Sequence, residues 1–363
     1  MDAPMVQTTP TARALLRTRH EIVGQTPLVQ IAGPGSGFEA GPGGGLDTGV
    51  CRILAKLEHL NPTGSVKDRV AGELVAEAES SGRLRPGMTI VEASSGNATI
   101  AIGAVARQRG YPVLAFVPRK MTEEKQRLHA AMGVACRFFD PDPSDPFTNN
   151  RRDEALALAA SQPDRFLTFD QFSNPINIRA HERGTGAEIW RQSRQLGGGI
   201  DAFFGGAGTG GSLVGISRAL KRPGRMPRLQ VTMVDPEGST LTARARGELP
   251  AERHQDAPDG LGERFMPGNL DLGVVDNAVY VSREQAVRSC AELARATGIL
   301  GGPCTGYTLH AAAEWCRQQT EPKTALVLVC DRGENYLSDP QFAGALESVY
   351  ADEQAAMHAA AAV

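Results

Sequence analysis

The chain has 363 residues, 41% hydrophobic and 22% charged, with a formal net charge of −3 at pH 7. That near-balance offers nothing to attract a nucleic acid or an anionic membrane surface, and no apolar run reaches the roughly 18 residues needed to span a bilayer. The length provides for one large domain or two lobes with a sizeable core.

The first 20 residues read as an arm with a short helical piece. They contain no signal-peptide apolar core, so cytoplasm is the expected location. Strands are expected over 26–31 and 52–58, joined by a Gly/Pro-rich loop over 33–49. Next comes N-P-T-G-S-V-K-D-R, residues 61–69, where Gly64 and Ser65 suit a turn and an N-cap. That placement puts Lys67 in the first turn of a helix, whose positive end lowers a lysine pKa and favours a nucleophile or neutral base. Read alone, these nine residues favour a solvated Lys67 between the charged neighbours Asp68 and Arg69.

A β-α-β-α-β alternation follows: strand 89–92, helix 97–109 closed by Gly110, strand 112–117, helix 122–132 closed by Gly133, strand 134–139. The rhythm predicts a parallel sheet covered by helices, with 140–150 as a surface loop. The second half repeats it. A helix near 188–194 precedes strand 201–204, a Gly-rich turn and a helix ending at 220. Strand 229–234, a loop-rich region to 270 and strand 278–281 come next. Helices 284–297 and 308–318 and strand 325–329 complete the pattern. The Ala-rich end after Gln354 reads as a frayed helix or a disordered tail. Two α/β lobes account for the chain, and a ligand belongs where the carboxyl ends of their strands face each other.

Four connections attract attention. Glu92-Ala-Ser-Ser-Gly-Asn-Ala98, between a strand and a helix, has the backbone N–H groups and hydroxyls of a carboxylate or phosphate site, or simply those of an N-cap turn. Gly205 to Ser212 permits close backbone approach to an anion. It also satisfies G-x-G-x-x-G through Gly206, Gly208 and Gly211, with Asp235 following at the distance of a ribose-binding acid. On this pattern a dinucleotide oxidoreductase is a rival reading. The stretch from Gly298 to Gly306 places Cys304 and Thr305 in a tight interhelical turn. Cys330-Asp-Arg-Gly-Glu-Asn-Tyr-Leu337, taken alone, reads as surface charge. The six cysteines form no C-x-x-C pair, the seven histidines are dispersed, and neither a metal site nor a Ser/His/Asp signature is present.

Taken in order, these segments resemble the cysteine synthases, the O-acetylserine sulfhydrylase and cystathionine β-synthase branch of the fold-type II pyridoxal-phosphate enzymes. The resemblance runs from about residue 21 to 338, and the C-D-R-G-E-N-Y-L-S ending is most similar to the B-type enzymes. It implies two three-layer α/β lobes with mostly parallel sheets, similar to tryptophan synthase β. Residues 1–60 plus 174–350 would form the larger, phosphate-binding lobe, residues 61–173 a smaller mobile lobe, and 351–363 a tail. Lys67 would be the Schiff-base anchor of pyridoxal 5'-phosphate. Asn97, the phosphate loop Gly208, Thr209, Gly210, Gly211 and Ser212, and Cys304 at the pyridine nitrogen would complete the cofactor site. Ser94, Ser95, Gly96, Asn97 and Gln171 would hold the substrate carboxylate, Gln171 through its Q-F-x-N-P segment. The family's T-G-x-E-I-W and I-P-G-N-L segments are matched by 185–190 and 266–270.

The implied reaction is β-replacement on an O-activated L-serine, foremost O-acetylserine with sulfide to give L-cysteine. The implied state is a homodimer with no nucleic-acid or membrane partner and no metal. O-phosphoserine, thiosulfate, homocysteine or an amine remain alternative reactants. Three departures bear on the pocket: Ala98 stands where the family usually has Thr, Cys304 where it usually has Ser, and Pro303 and Tyr307 replace smaller or aliphatic residues.

Overall fold

The structure is a computed structural model describing residues 22–35, 46–94, 96–140, 150–196, 199–249, 258, 260–263 and 265–361. The expected N-terminal arm and most of the loops over 33–49 and 140–150 lie outside the described residues.

Strands β1 (Leu28–Ala32), β2 (Arg52–Lys56), β7 (Ala202–Gly206), β8 (Gln230–Pro236), β9 (Asn277–Val281) and β10 (Thr324–Leu328) form one sheet, ordered β1-β2-β10-β7-β8-β9. Its strands run parallel apart from β1, which pairs antiparallel with β2. Strands β3 (Thr89–Ala93), β4 (Val113–Pro118), β5 (Val134–Phe139) and β6 (Phe166–Leu167) form a second, all-parallel sheet ordered β5-β4-β3-β6. The chain enters the second sheet after β2 and returns to the first before β7.

Alternation along the strands shows both faces of each sheet to be covered. In β10, Ala325 and Val327 pack into one core cluster, Leu326 and Leu328 into another. In β3, Ile90 faces one cluster while Val91 and Ala93 face a separate one. The fold is therefore α/β, two three-layer units with mostly parallel sheets.

The helices used below are α1 (Asp68–Ser80), α2 (Asn97–Ala106), α3 (Glu123–Ala131), α4 (Asn150–Ser161), α5 (Pro175–Ala180), α6 (Gly186–Gln195), α7 (Gly211–Leu220), α8 (Thr240–Arg246), α9 (Arg283–Thr297), α10 (Pro303–Arg317) and α11 (Pro340–Ala361). Sequence periodicity passes over α4, α5 and α8. It starts α10 five residues late, because Pro303 is an N1 residue that opens the helix. Cys304 and Thr305 thus lie in the first turn of α10 and not in an interhelical turn. The Ala-rich end continues α11. Among the described residues no helix is long and apolar enough to cross a membrane, and no group of His, Cys, Asp and Glu could hold a metal ion.

Candidate active site

The carboxyl ends of β3, β7 and β10 meet the N-termini of α1, α2, α7 and α10 around a cleft with about 980 Å³ of atom-free space, open mouth included. Its chemistry starts at the turn before α1. Gly64 takes φ +86°, and a Cβ there would meet the Arg332 Nε at 2.9 Å. Asp68 Oδ2 accepts from the Thr63 hydroxyl at 2.6 Å and the Thr63 N–H at 3.0 Å, while the Val66 N–H donates to the Cys330 carbonyl at 2.8 Å. This stitching binds the turn to the end of β10.

Lys67 occupies the N-cap position of α1, one residue before the expected first turn. It lines the cleft. Burial lowers its amine pKa, against the opposing pull of Cys330, Cys304, Asp331 and Glu263. Desolvation therefore lowers the Lys67 pKa in the direction expected from the helix end.

The second wall is the turn from β3 into α2. Ser94 and Asn97 line the cleft, and Ala98 presents a methyl there. Gly96 adopts φ 145° and donates its N–H to Ser94 Oγ at 3.0 Å, but it does not line the cleft; Ser95 lies outside the described residues. Asn97 Nδ2 donates to Asp331 Oδ2 at 2.6 Å. Gln171 reaches the cleft from the segment before α5, with Nε2 donating to the Ala93 carbonyl at 3.0 Å. Beneath it Glu92, 2% exposed, accepts from the Phe169 N–H at 3.0 Å and the Gln171 N–H at 3.4 Å. Burial pushes the Glu92 carboxyl up to about 8, so it holds its proton at neutral pH.

The third wall is the turn from β7 into α7. Gly208, Thr209 and Ser212 line it. Gly210, at φ +80°, is the N-cap of α7 and contributes no side-chain cap; the Gly211 N–H donates to Thr209 Oγ1 at 3.4 Å. The glycines are required by contact: a Cβ on Gly208 would lie 2.2 Å from the Gly260 carbonyl oxygen, and one on Gly211 2.0 Å from Asn177 Oδ1. Gly210 and Gly211 shape the turn without lining the cleft. Asn177 Nδ2 donates to Thr209 Oγ1 at 3.0 Å and to the Gln171 carbonyl at 2.9 Å, tying the second and third walls together. A helix N-terminus behind a glycine turn is an anion cradle. Asp235, the acid of the dinucleotide reading, is fully buried. It accepts from Ser239, Thr242 and the Gly262 N–H, so it faces no ribose site.

Cys304, 9% exposed, closes the cleft from the first turn of α10; burial pushes its thiol well above its ordinary value. A weak, protonated donor is what it offers a ligand. Tyr307 does not line the cleft: 1% exposed, it packs into the core of the larger sheet.

Four further residues line the cleft without being singled out as site residues by the sequence. Asp331 is 1% exposed, not surface charge, and accepts from both Asn97 Nδ2 and the Tyr336 hydroxyl, each at 2.6 Å. Arg151 and Glu263 place charges of opposite sign in the cleft wall, and Cys330 adds a thiol pushed up to about 12 by burial. The C-D-R-G stretch at the end of a buried strand was the available signal for Asp331 and Cys330. Nothing local marks Arg151 or Glu263.

The assembled cleft therefore suits a ligand with a phosphate at one end, in the α7 turn, and a carbonyl at the other, beside the Lys67 amine. The model of the family described as "Pyridoxal-phosphate dependent enzyme" matches residues 20–331. Cysteine synthase A of Salmonella typhi is 34% identical over 325 residues, covering 88% of this chain and 94% of that protein. A cysteine synthase of Staphylococcus aureus is 31% identical over 322 residues, covering 89% and 96%. Among solved structures, O-ureido-L-serine synthase aligns with a TM-score of 0.77 at 31% identity, covering 91% of this chain and 96% of that one. A hydrogen sulfide-producing enzyme from Fusobacterium nucleatum aligns with a TM-score of 0.76 at 29% identity, covering 89% and 100%.

Proposed function

The chain belongs to the pyridoxal-phosphate dependent enzymes, cysteine synthase type, and from that premise we propose that it makes L-cysteine from O-acetyl-L-serine and sulfide, releasing acetate. The cofactor is pyridoxal 5'-phosphate and the reaction class is β-replacement on an O-activated L-serine. One observation carries the assignment of residues: the Lys67 amine, the Ser94–Asn97–Gln171 wall and the glycine turn before α7 line a single cleft.

In this reading the Gly208 to Ser212 turn and the α7 N-terminus hold the phosphate, Lys67 the aldehyde carbon, Asn97 the ring oxygen and Cys304 the ring nitrogen. The bound cofactor supplies an electron sink for negative charge developing at the substrate Cα. Ser94, Asn97 and Gln171, which line the cleft, would hold the substrate carboxylate. Lys67 would remove the substrate Cα proton and later return it; its lowered pKa favours the neutral form this needs. The acetate leaves from Cβ and sulfide bonds there.

Residues 61–173 form the mobile lobe that closes and excludes water. Contacts that such closure would tighten already exist: the Thr122 hydroxyl donates to the Asn335 carbonyl at 2.7 Å, and the Ser338 hydroxyl to Glu124 at 2.6 Å. The working assembly in this proposal is a cytoplasmic homodimer. The test is product formation. Purified protein with O-acetylserine and sulfide should yield cysteine and acetate, and Lys67→Ala should abolish the yield. Turnover by Lys67→Ala near the wild-type rate contradicts the role given to this lysine.

A further inference from the structure

We propose that Ser338 and Glu124 are positioning residues for the substrate-carboxylate turn, a latch that holds α3 and the cleft wall attached to it against the segment following β10; the proposal rests on the β-replacement reading above. The N-terminus of α3 is capped from outside the helix. Its N-cap residue, Thr122, makes no side-chain cap bond, and the Thr122 hydroxyl donates instead to the Asn335 carbonyl at 2.7 Å. The cap comes from 215 positions away, where Ser338 Oγ accepts the Glu123 N–H at 3.1 Å.

Glu124 returns the contact. Its Oε1 accepts from the Ser338 N–H at 2.9 Å and its Oε2 from the Ser338 hydroxyl at 2.6 Å. These three bonds have the reciprocal logic of a capping box, divided here between a helix and a distant segment. A carboxylate in the first turn also suits the positive end of α3.

Further along, α3 is fixed to the carboxylate turn. The Lys125 side chain lies over Gly96, where an added Cβ would meet Lys125 Cδ at 2.8 Å, and its amine sits 4.0 Å from the Tyr336 ring centroid. His129 Nε2 and Thr99 Oγ1 are 2.7 Å apart, and the Thr99 hydroxyl donates to the Gly96 carbonyl at 3.1 Å. A grip on the first turn of α3 is thereby a grip on the 94–98 turn, and it sets how closely that turn approaches Asp331 across the cleft. The latch lies near the surface, Ser338 exposed and Glu124 partly so. Water can replace its bonds, so it opens at small cost.

An opened cleft admits water, and O-acetylserine and water then give acetate, pyruvate and ammonia in place of cysteine. The holoenzyme turning over O-acetylserine at a fixed sulfide concentration therefore reports the latch as the ratio of pyruvate to cysteine. Ser338→Ala should raise that ratio roughly three- to tenfold, the loss of a hydrogen bond at a partly exposed site. Ser338→Thr, which keeps the hydroxyl, should restore most of it. Glu124→Ala should raise the ratio at least as far as Ser338→Ala, and the double variant no further than Glu124→Ala, because both changes break one contact.

A wild-type ratio in Ser338→Ala would overturn the proposal, as would single effects that multiply in the double variant. So would a fall in kcat with the ratio unchanged, which marks a general loosening of the fold. If Ser338→Ala does not retain the cofactor, Glu124→Ala decides alone: a raised ratio supports the latch, and a wild-type ratio contradicts it. A wild type that makes cysteine, with variants that match its ratio, overturns this inference alone. A wild type that yields neither cysteine nor pyruvate overturns the β-replacement reading with it.

Discussion

At the scale of single residues, Glu92 yields a pH prediction independent of catalysis. Its carboxyl has an ordinary pKa of 4.5 and about 8 in the fold, because burial outweighs the N–H bonds from Gln171 and Phe169. Above pH 4.5 the unfolded chain releases this proton while the folded chain keeps it, so ionisation favours unfolding. Glu92 therefore subtracts stability progressively as pH rises from about 4.5 to 8, with an upper limit near 1.4 kcal/mol per pK unit. Urea melts of wild type and Glu92→Gln at pH 5 and pH 9 should show the wild type losing ground to the variant by a few kcal/mol; parallel behaviour would place the pKa near its ordinary value. Lys67 was legible because turn chemistry, N-cap residues and an apolar helix period converge on it. Asp331 was not, since charge adjacent to a strand end looks solvated until Asn97 and Tyr336 arrive from 234 and 5 residues away. Arg151 and Arg152 are neighbours in sequence, yet Arg151 lines the cleft and Arg152 reaches Asp170, and only the positions of those distant groups distinguish them.

At the scale of elements, the glycine turn between β7 and α7 is held by backbone contact, so its prediction is steric. A Cβ on Gly208 would fall 2.2 Å from the Gly260 carbonyl oxygen, a rigid backbone atom. Gly208→Ala must displace the turn or the 260–263 segment, and it should weaken cofactor retention by tenfold or more, about 1.4 kcal/mol. Dialysis of the holoenzyme followed by absorbance measures this, and wild-type retention would show that the turn does not hold the phosphate. The β-α-β alternation was legible because buried parallel strands read as short apolar runs bounded by turn signals. The start of α10 was misplaced since Gly301, Gly302 and Pro303 punctuate like a loop, yet Pro303 is the first helical residue. The short α5 has too few residues to display a period, and α4 follows a Pro/Asp/Asn-rich stretch that masked its beginning.

For the whole molecule, a buried ionic network links the first turn of α1 to the larger sheet. Arg69 donates to Glu58 through Nε and Nη2 and to Glu188 through Nη1 and Nη2, the latter two at 2.8 Å, and Lys56 Nζ meets Glu188 at 2.8 Å. Burial alone would raise the Glu188 carboxyl, but Arg69 and Lys56 bring it down to about 2. The network sits two residues from Lys67 and ties the first turn of α1 to β2 and α6. Arg69→Ala strands the buried Glu58 carboxylate and leaves Glu188 with Lys56 alone, and it should cost about 3–5 kcal/mol in a urea melt; a loss under about 1 kcal/mol would mean that water reaches and compensates the pair. The central claim is that these units enclose a cofactor-dependent β-replacement centre at Lys67. The most direct measurement is the absorbance spectrum of purified protein before and after adding O-acetylserine, and again after sulfide. A visible cofactor band should change on the first addition and return on the second as cysteine appears. A colourless protein that pyridoxal 5'-phosphate cannot reconstitute would contradict it.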